Sequence, residues 1–381
     1  MNLIRTTLQI VLYSYLIIWL TGCDRQEPVA PTDRKEIGFD IASLASTRSP
    51  LPKSQRGNTL IHKDSIFSMG IFGYSTSYDV TAPVETSLLS VTPNLIYNQK
   101  ATRELERIEN PPEPDKYILT SWGYNPVAYW PVDLSVRNSF FAYSPHSSDI
   151  PSAIMSLNTS AGTPKLTYTL PEEPTDMIDV LYSDPVLNKN RNSTEKVNDG
   201  RVVYDMKHAL CWLSFVIAPV VYGNDDPEDP DAAYSVDWLS FMADNLPTTA
   251  TIDLGTGKWT NMITDFRQYN IELTDAAQSI KPGDVALVID ENSRLTLLPF
   301  EINDAAGATI DITFWYRGTQ YYYFAPFPTQ RMTAGNIVVF VINISPDGAT
   351  LTFQSEDRIE NWLKEWEADS DFPDGLGLDI Y

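Results

Sequence analysis

Two cysteines and three histidines in 381 residues leave little material for the commonest catalytic and metal chemistries. The patterns H-E-x-x-H, G-x-S-x-G, G-x-x-x-x-G-K-[ST] and G-x-G-x-x-G are all missing. Their absence removes zinc-peptidase, nucleophile-elbow, P-loop and dinucleotide-binding readings. The histidines lie far apart: His62 and His146 sit in polar, loop-like contexts and are expected at the surface. His208 opens the apolar run "HALCWLSF" and is expected to hydrogen-bond to backbone. Cys211, between Leu210 and Trp212, reads as a small buried hydrophobe. Positive charge is also short, 27 basic against 50 acidic residues, for a net charge of -23. Such a field repels nucleic acid and anionic lipid, so neither is expected as a partner. No cofactor is expected, and no long amphipathic helix is visible.

What is present begins with the leader. Arg5 precedes an apolar segment, Leu8 to Leu20, of about 13 residues, shorter than the roughly 20 needed to cross a bilayer, so it reads as a signal peptide. It ends in Leu20-Thr21-Gly22-Cys23, which resembles a lipobox, the bacterial signal for acylating a cysteine and cleaving before it. Each buried CH₂ of an acyl chain contributes about 0.8 kcal/mol, so several chains on Cys23 hold a protein to a membrane. With Cys23 acylated, Cys211 has no disulfide partner, and stability must come from burial. The remaining chain, about 359 residues, is long enough for two domains of ordinary size.

Residues 23–35 mix charge and proline without a period and read as a spacer. From Glu36 the signals are short alternating runs rich in aromatic and β-branched residues, cut by Pro, Gly, Asn and Asp. Ile37-Phe39-Ile41, Ile66 to Tyr74, Tyr129 to Val136, Phe140 to Tyr143 and Val202 to Val221 are examples. Ala250 to Leu254, Val285 to Ile289, Arg294 to Leu298, Thr309 to Tyr316, Thr319 to Phe324 and Ile337 to Ile344 follow. Leu44 falls out of phase with Ile37, Phe39 and Ile41, so the first strand is expected to bend or end near Ser43. "TIDITFWY" and "TQYYYFA" are separated only by Arg317-Gly318, a hairpin signature. The expected fold is all-β, packed antiparallel sheets in two tandem β-sandwich domains. The polar segment Asp184 to Gly200 is the best boundary, giving an N-terminal domain over 36–190 and a C-terminal domain over 191–354. Gln99 to Asn110 is at most a short surface helix stopped by Pro111-Pro112. Ser355 to Ala368, with Ile359, Trp362, Leu363 and Trp366 on one stripe, predicts a helix within a C-terminal segment 355–381.

Chemistry-bearing clusters are few. "NDDPEDPD", Asn224 to Asp231, offers oxygen donors for calcium in Asp225, Asp226, Glu228, Asp229 and Asp231. It lacks the EF-hand spacing and glycine, and Pro227 and Pro230 stiffen it, so a solvated loop is the expectation and no metal is assigned. Nine tryptophans and 20 tyrosines suit sugar stacking as well as sandwich cores. Fifty acidic residues leave a carboxylate-pair hydrolase open, but nothing selects a pair.

The order of the lipobox, Thr47-Arg48, "YWPV" and "SFFAYSP" within Tyr129 to Pro145, "HALCWLSFVI", "GKW", "LLPF" and a late tryptophan-bearing tail resembles the fimbrillin family of Bacteroidota. That resemblance implies a non-enzymatic lipoprotein subunit of a pilus, shaft, tip or anchor, or a related adhesin, built of two transthyretin-like sandwiches. It implies other pilus subunits as partners, a host or bacterial surface protein or glycan as target, and an outer-membrane or fimbrial location through the lipid on Cys23. It further implies assembly by strand exchange after an arginine-specific cut, here at Arg48, with Arg56 as a second position. Loss of an edge strand leaves unpaired backbone groups and an apolar slot that a donated strand restores. The final "DGLGLDIY" places Leu376, Leu378 and Ile380 on one face and is the candidate donor. The alternative reading is a glycan-binding surface lipoprotein of a polysaccharide-uptake system.

Overall fold

The computed structural model describes residues 34–44, 66, 68–108, 116–158, 160–193, 200–224, 226, 228–284, 286–287, 295–302 and 306–353. In chain order the strands are β1 (Gly38–Leu44), β2 (Ser68–Thr76), β3 (Ile96–Ile108), β4 (Lys116–Tyr124), β5 (Arg137–Ser144), β6 (Met155–Asn158) and β7 (Lys165–Thr169). Next come β8 (Leu181–Ser183), β9 (Val186–Lys189), β10 (Arg201–His208), β11 (Cys211–Pro219), β12 (Tyr234–Asp253) and β13 (Lys258–Asn270). The last are β14 (Ala286–Leu287), β15 (Leu295–Leu297), β16 (Phe300–Ile302), β17 (Thr309–Tyr316), β18 (Thr319–Pro326), β19 (Gln330–Met332), β20 (Ile337–Ser345) and β21 (Gly348–Phe353). A short helix, α1 (Val84–Ser87), a helical turn at 191–193 and isolated 3-10 turns are also present among the described residues. None of the described helices is long and apolar enough to cross a membrane.

The all-β expectation holds. An eight-stranded sheet runs β1-β10-β8-β5-β2-β3-β4, with β9 also on β5. A six-stranded sheet runs β18-β17-β12-β7-β6 with β13 on β12, and a five-stranded sheet runs β14-β11-β20-β21 with β15 on β11. Most pairs are antiparallel, but β1 lies parallel to β10 and β11 parallel to β20. From Ile37 onward the chain clusters as one unit. The strands do not sort by the segment Asp184 to Gly200: β7 pairs with the second half of β12, and β10 lies between β1 and β8 in the first sheet. That segment itself contains β9.

Local chemistry accounts for most elements. Arg317 and Gly318 take φ of 47° and 73°, the twin left-handed turn that matches strand twist, and Thr309 to Pro326 zips in register around them. The run predicted over Val202 to Val221 divides at Ala209-Leu210, where Ala209 N–H bonds Val180 O at 2.8 Å and Trp259 Nε1–H bonds Ala209 O at 2.8 Å. Its two halves thus enter different sheets. The first strand has its register shift between Ile41 and Ser43, where Leu44 lost phase.

Two readings are corrected. Within the helix expected over Gln99 to Asn110, the described residues 99–108 are not helical but lie in β3, because the open edge of β2 offers ladder partners from Ile71↔Gln99 to Ser68↔Thr102, and Ile96 and Ala101 are buried there. Tyr129 to Val136 is not a strand. Pro131 denies it a donor and Asp133 turns the chain, accepting Ser135 N–H through Oδ1 at 2.8 Å and Val136 N–H through its carbonyl at 3.2 Å.

The central sheet buries side chains on both faces. Phe72, Tyr74, Phe141 and Tyr143 join the large core shared with the later strands, while Met69, Ile71, Phe140 and Ala142 join a smaller core on the other face. Continuous apolar runs such as "SFFAYS" arise from this two-sided burial.

Candidate functional site

The smaller core is closed at one edge by β1. Ile37, Phe39 and Ile41 are 0%, 1% and 6% exposed, and they pack with Val202, Tyr204 and Met206 of β10, Phe140 of β5 and Trp122 of β4. Phe39 meets Tyr124 edge-on at 5.1 Å and Phe140 edge-on at 6.0 Å, and stacks on Tyr204 at 6.0 Å with only 7° between planes. Alternation alone puts these three residues inward and Gly38 and Asp40 toward the other side.

Among the described residues the backbone ladder of β1 is one-sided. Its ladder runs from Gly38↔Arg201 to Leu44↔Met206, all with β10. Before that ladder, Ile37 N–H bonds Ala128 O at 3.0 Å and Tyr124 Oη–H bonds Ile37 O at 2.7 Å. Trp130 floors the slot, its Nε1–H on Gly200 O at 3.3 Å and its ring edge-on to Phe140 at 5.7 Å. Tyr204 Oη is buried with no hydrogen-bond partner among the described residues, and burial pushes its phenol well above the usual range. Among the described residues β1 is therefore an edge strand with a core-grade apolar face, and residues 45–67 separate it from β2 in the chain.

Of the residues singled out in sequence, Cys23, Arg48, Arg56, Leu376, Leu378, Ile380, His62 and Asp225 lie outside the described residues, as does the helix expected over 355–368. Asp226 and Asp229 are described and serve their own loop. Asp226 Oδ1 accepts Glu228 N–H at 3.0 Å. The backbone N–H of Asp231 and the Arg317 guanidinium, at 3.0 and 2.9 Å, hold the Asp229 carboxyl below its usual range. Among the described residues no cluster of His, Cys, Asp and Glu has metal-holding geometry.

Two histidine expectations are corrected. His208 bonds not to backbone but to the Asp179 carboxylate, Nδ1 to Oδ2 at 2.5 Å, with both side chains buried. Burial pushes the Asp179 carboxyl up and by itself would lower the imidazole; attraction to Asp179 reverses that, and His208 is raised. His146 is buried rather than superficial, its ring between Ser148 Oγ at 2.8 Å and Asn98 O at 3.2 Å, and burial lowers its pKa. The polar sequence around it gave no sign of burial, because its partners come from a 3-10 turn and from β3. Cys211 is fully buried, as expected, and burial pushes its thiol up. Nothing local in the sequence tells that Tyr124, Trp130 and Tyr204 meet in this slot, since local sequence does not show which strand a buried aromatic faces.

A sequence model of the family described as Fimbrillin-like matches residues 104–362. The fimbrium subunit Fim1C of Phocaeicola vulgatus is 26% identical over 204 residues, which make up 51% of this chain and 47% of that protein. The chain thus spans about half the length of this curated relative. A fimbrial protein from Bacteroides vulgatus, known by crystal structure, superposes over 84% of this chain and 98% of its own with a TM-score of 0.57 at 17% identity. The likeness to that structure is one of fold.

Proposed function

We propose, from the premise that the chain belongs to the fimbrillin-like family, that it is a non-enzymatic subunit of a cell-surface fimbrium that assembles by strand exchange. Export as a lipoprotein through Cys23 brings it to the outer membrane. A cut after Arg48 separates β1 from β2, and β1 then leaves with the lipid. The single observation that supports this reading is β1, an edge strand among the described residues, which with the preceding Ile37 carries three buried apolar residues and pairs in parallel with one neighbour.

The energetics favour replacement over vacancy. Each of Ile37, Phe39 and Ile41 contributes roughly 1.5–3 kcal/mol by burial, and the unpaired groups of β10 must find partners once β1 is gone. An incoming strand with apolar residues at alternate positions restores both terms, and Leu376, Leu378 and Ile380 of a neighbouring subunit have that spacing. Intact, Arg48 leaves Cys23 as a permanent anchor.

The test is treatment of the purified chain with an arginine-specific protease. Cleavage after Arg48 followed by SDS-resistant ladders is expected, and deletion of 375–381 abolishes the ladders while leaving a folded monomer. Cleaved protein that stays monomeric defeats the strand-exchange reading, as does a deletion variant that still polymerises.

A further inference from the structure

We propose that the outer face of β12, β17 and β18 is a binding site for an uncharged saccharide chain, with Trp238, Trp315 and Tyr322 as stacking surfaces and Asp237 and Asp311 as hydroxyl acceptors. This site is remote in sequence from β1, and the proposal does not depend on strand exchange.

The face is built by alternation plus one irregularity. Ile310, Ile312 and Phe314 of β17 point into the large core, so Asp311, Thr313 and Trp315 point out. Phe324, Tyr322 and Gln320 of β18 stand opposite these three in register. On β12 the register shifts between Val236 and Trp238, and this bulge leaves both Asp237 and Trp238 exposed. Trp238, Trp315, Tyr322 and Phe324 are 41%, 40%, 52% and 56% exposed. Single exposed aromatics are ordinary, but four on three adjacent strands form a patch that marks an interaction site. Trp315 also walls an open pocket of ≈ 410 Å³ shared with Asp231, Ser235 and Arg317.

The polar groups within the patch select the ligand. Trp315 Nε1–H and Gln320 Nε2–H, the latter at 3.3 Å, both donate to Oδ2 of Asp237. The indole plane is thereby fixed, and Oδ1 remains as an acceptor on an exposed side chain. Asp311 is only 6% exposed; its Oδ2 takes the Tyr322 hydroxyl at 3.2 Å, and its Oδ1 has no hydrogen-bond partner among the described residues. Burial pushes this carboxyl above its usual range. A buried acceptor without a donor is costly, and an apolar partner laid over it worsens that cost. A pyranose presents an apolar C–H face to an aromatic ring and hydroxyl donors at its rim, so it answers both features. The two carboxylates, on a chain of net charge -23, select against an anionic glycan.

The full chain is titrated with cellohexaose, mannohexaose, xylohexaose and maltoheptaose, followed by tryptophan fluorescence and calorimetry, with trigalacturonate as the anionic comparison. Saturable binding of at least one neutral oligosaccharide is expected. Trp315→Ala weakens it by about tenfold or more, whereas Trp315→Phe, which keeps a ring, stays within about threefold of the parent. Circular dichroism of both variants checks that the exposed substitutions leave the fold intact. Absence of binding by all four neutral sugars, an unchanged affinity in Trp315→Ala, or equal binding of trigalacturonate each overturns the proposal, and none of these outcomes bears on the protease assay.

Discussion

Replacing Phe39 by alanine measures how firmly the first strand is held. The ring is 1% exposed and touches aromatic rings from three other strands, Tyr124 of β4, Phe140 of β5 and Tyr204 of β10. Truncating a buried phenylalanine costs about 3–5 kcal/mol, from lost transfer free energy and the cavity left behind. β1 has one ladder and sits at a sheet edge, so it can settle toward the space more readily than a central strand, and the expected loss is about 3 kcal/mol. Tyr204 and Phe140 cannot follow, because their strands are flanked on both sides. Asp40→Ala on the same strand is the control. Its ion pair with Arg201 spans 3.7 Å between side chains 39% and 44% exposed, and its loss costs under about 1 kcal/mol. Urea unfolding followed by tryptophan fluorescence gives both values, since Trp122 and Trp130 lie in the same small core. A Phe39→Ala chain within about 1 kcal/mol of the parent, at unchanged slope, would refute the claim that the departure of β1 opens a costly slot.

Three further outcomes are expected. Tyr204→Phe removes a buried hydroxyl without a partner among the described residues and raises stability by about 1 kcal/mol in the same urea assay; a loss of that size would reveal an unrecognised partner. Gly70→Ala places a Cβ 2.1 Å from Cε1 of the fully buried Tyr143, so overpacking lowers stability by about 1–3 kcal/mol, read as a shifted denaturation midpoint. Asp179→Asn strips the buried His208 of its charge partner and costs on the order of 3 kcal/mol. Because the folded pKa of His208 is raised, the stability it contributes is complete below the unfolded value of about 6.5 and is lost as pH rises through the folded value. Thermal unfolding across that window therefore slopes downward in the parent and flattens in Asp179→Asn.

Much of this architecture was legible in one dimension because it rests on local rules. Arg317-Gly318 has a single good solution between two alternating runs, and the structure adopts it. Ile37, Phe39 and Ile41 carry an inward face in their spacing, and Leu44 even marks where the ladder slips. Cys211 between large apolar neighbours is buried as its context implies. Where reading failed, a distant partner overruled local preference. The charged, helix-like run from Gln99 is strand through Ile108 because β2 offered an edge, and Tyr129 to Val136 gives up its strand pattern while Trp130 joins the small core that β1 also enters. His208 met a carboxylate that stands 29 residues away, which no local context announces.

The division has a physical cause. Periodicity, turn residues and charge act over a few positions, and they determined that this chain is β-rich and acidic, and that its first strand has an apolar face. Pairing is chosen by whichever edges the collapsed sheets leave open, at separations for which the sequence carries no marker. Only the tertiary structure decided that β1 lies parallel to β10 at an edge. It alone turned Asp237 and Trp238 to the same outer face as Trp315, through a bulge set by the pairing of β12 with β17.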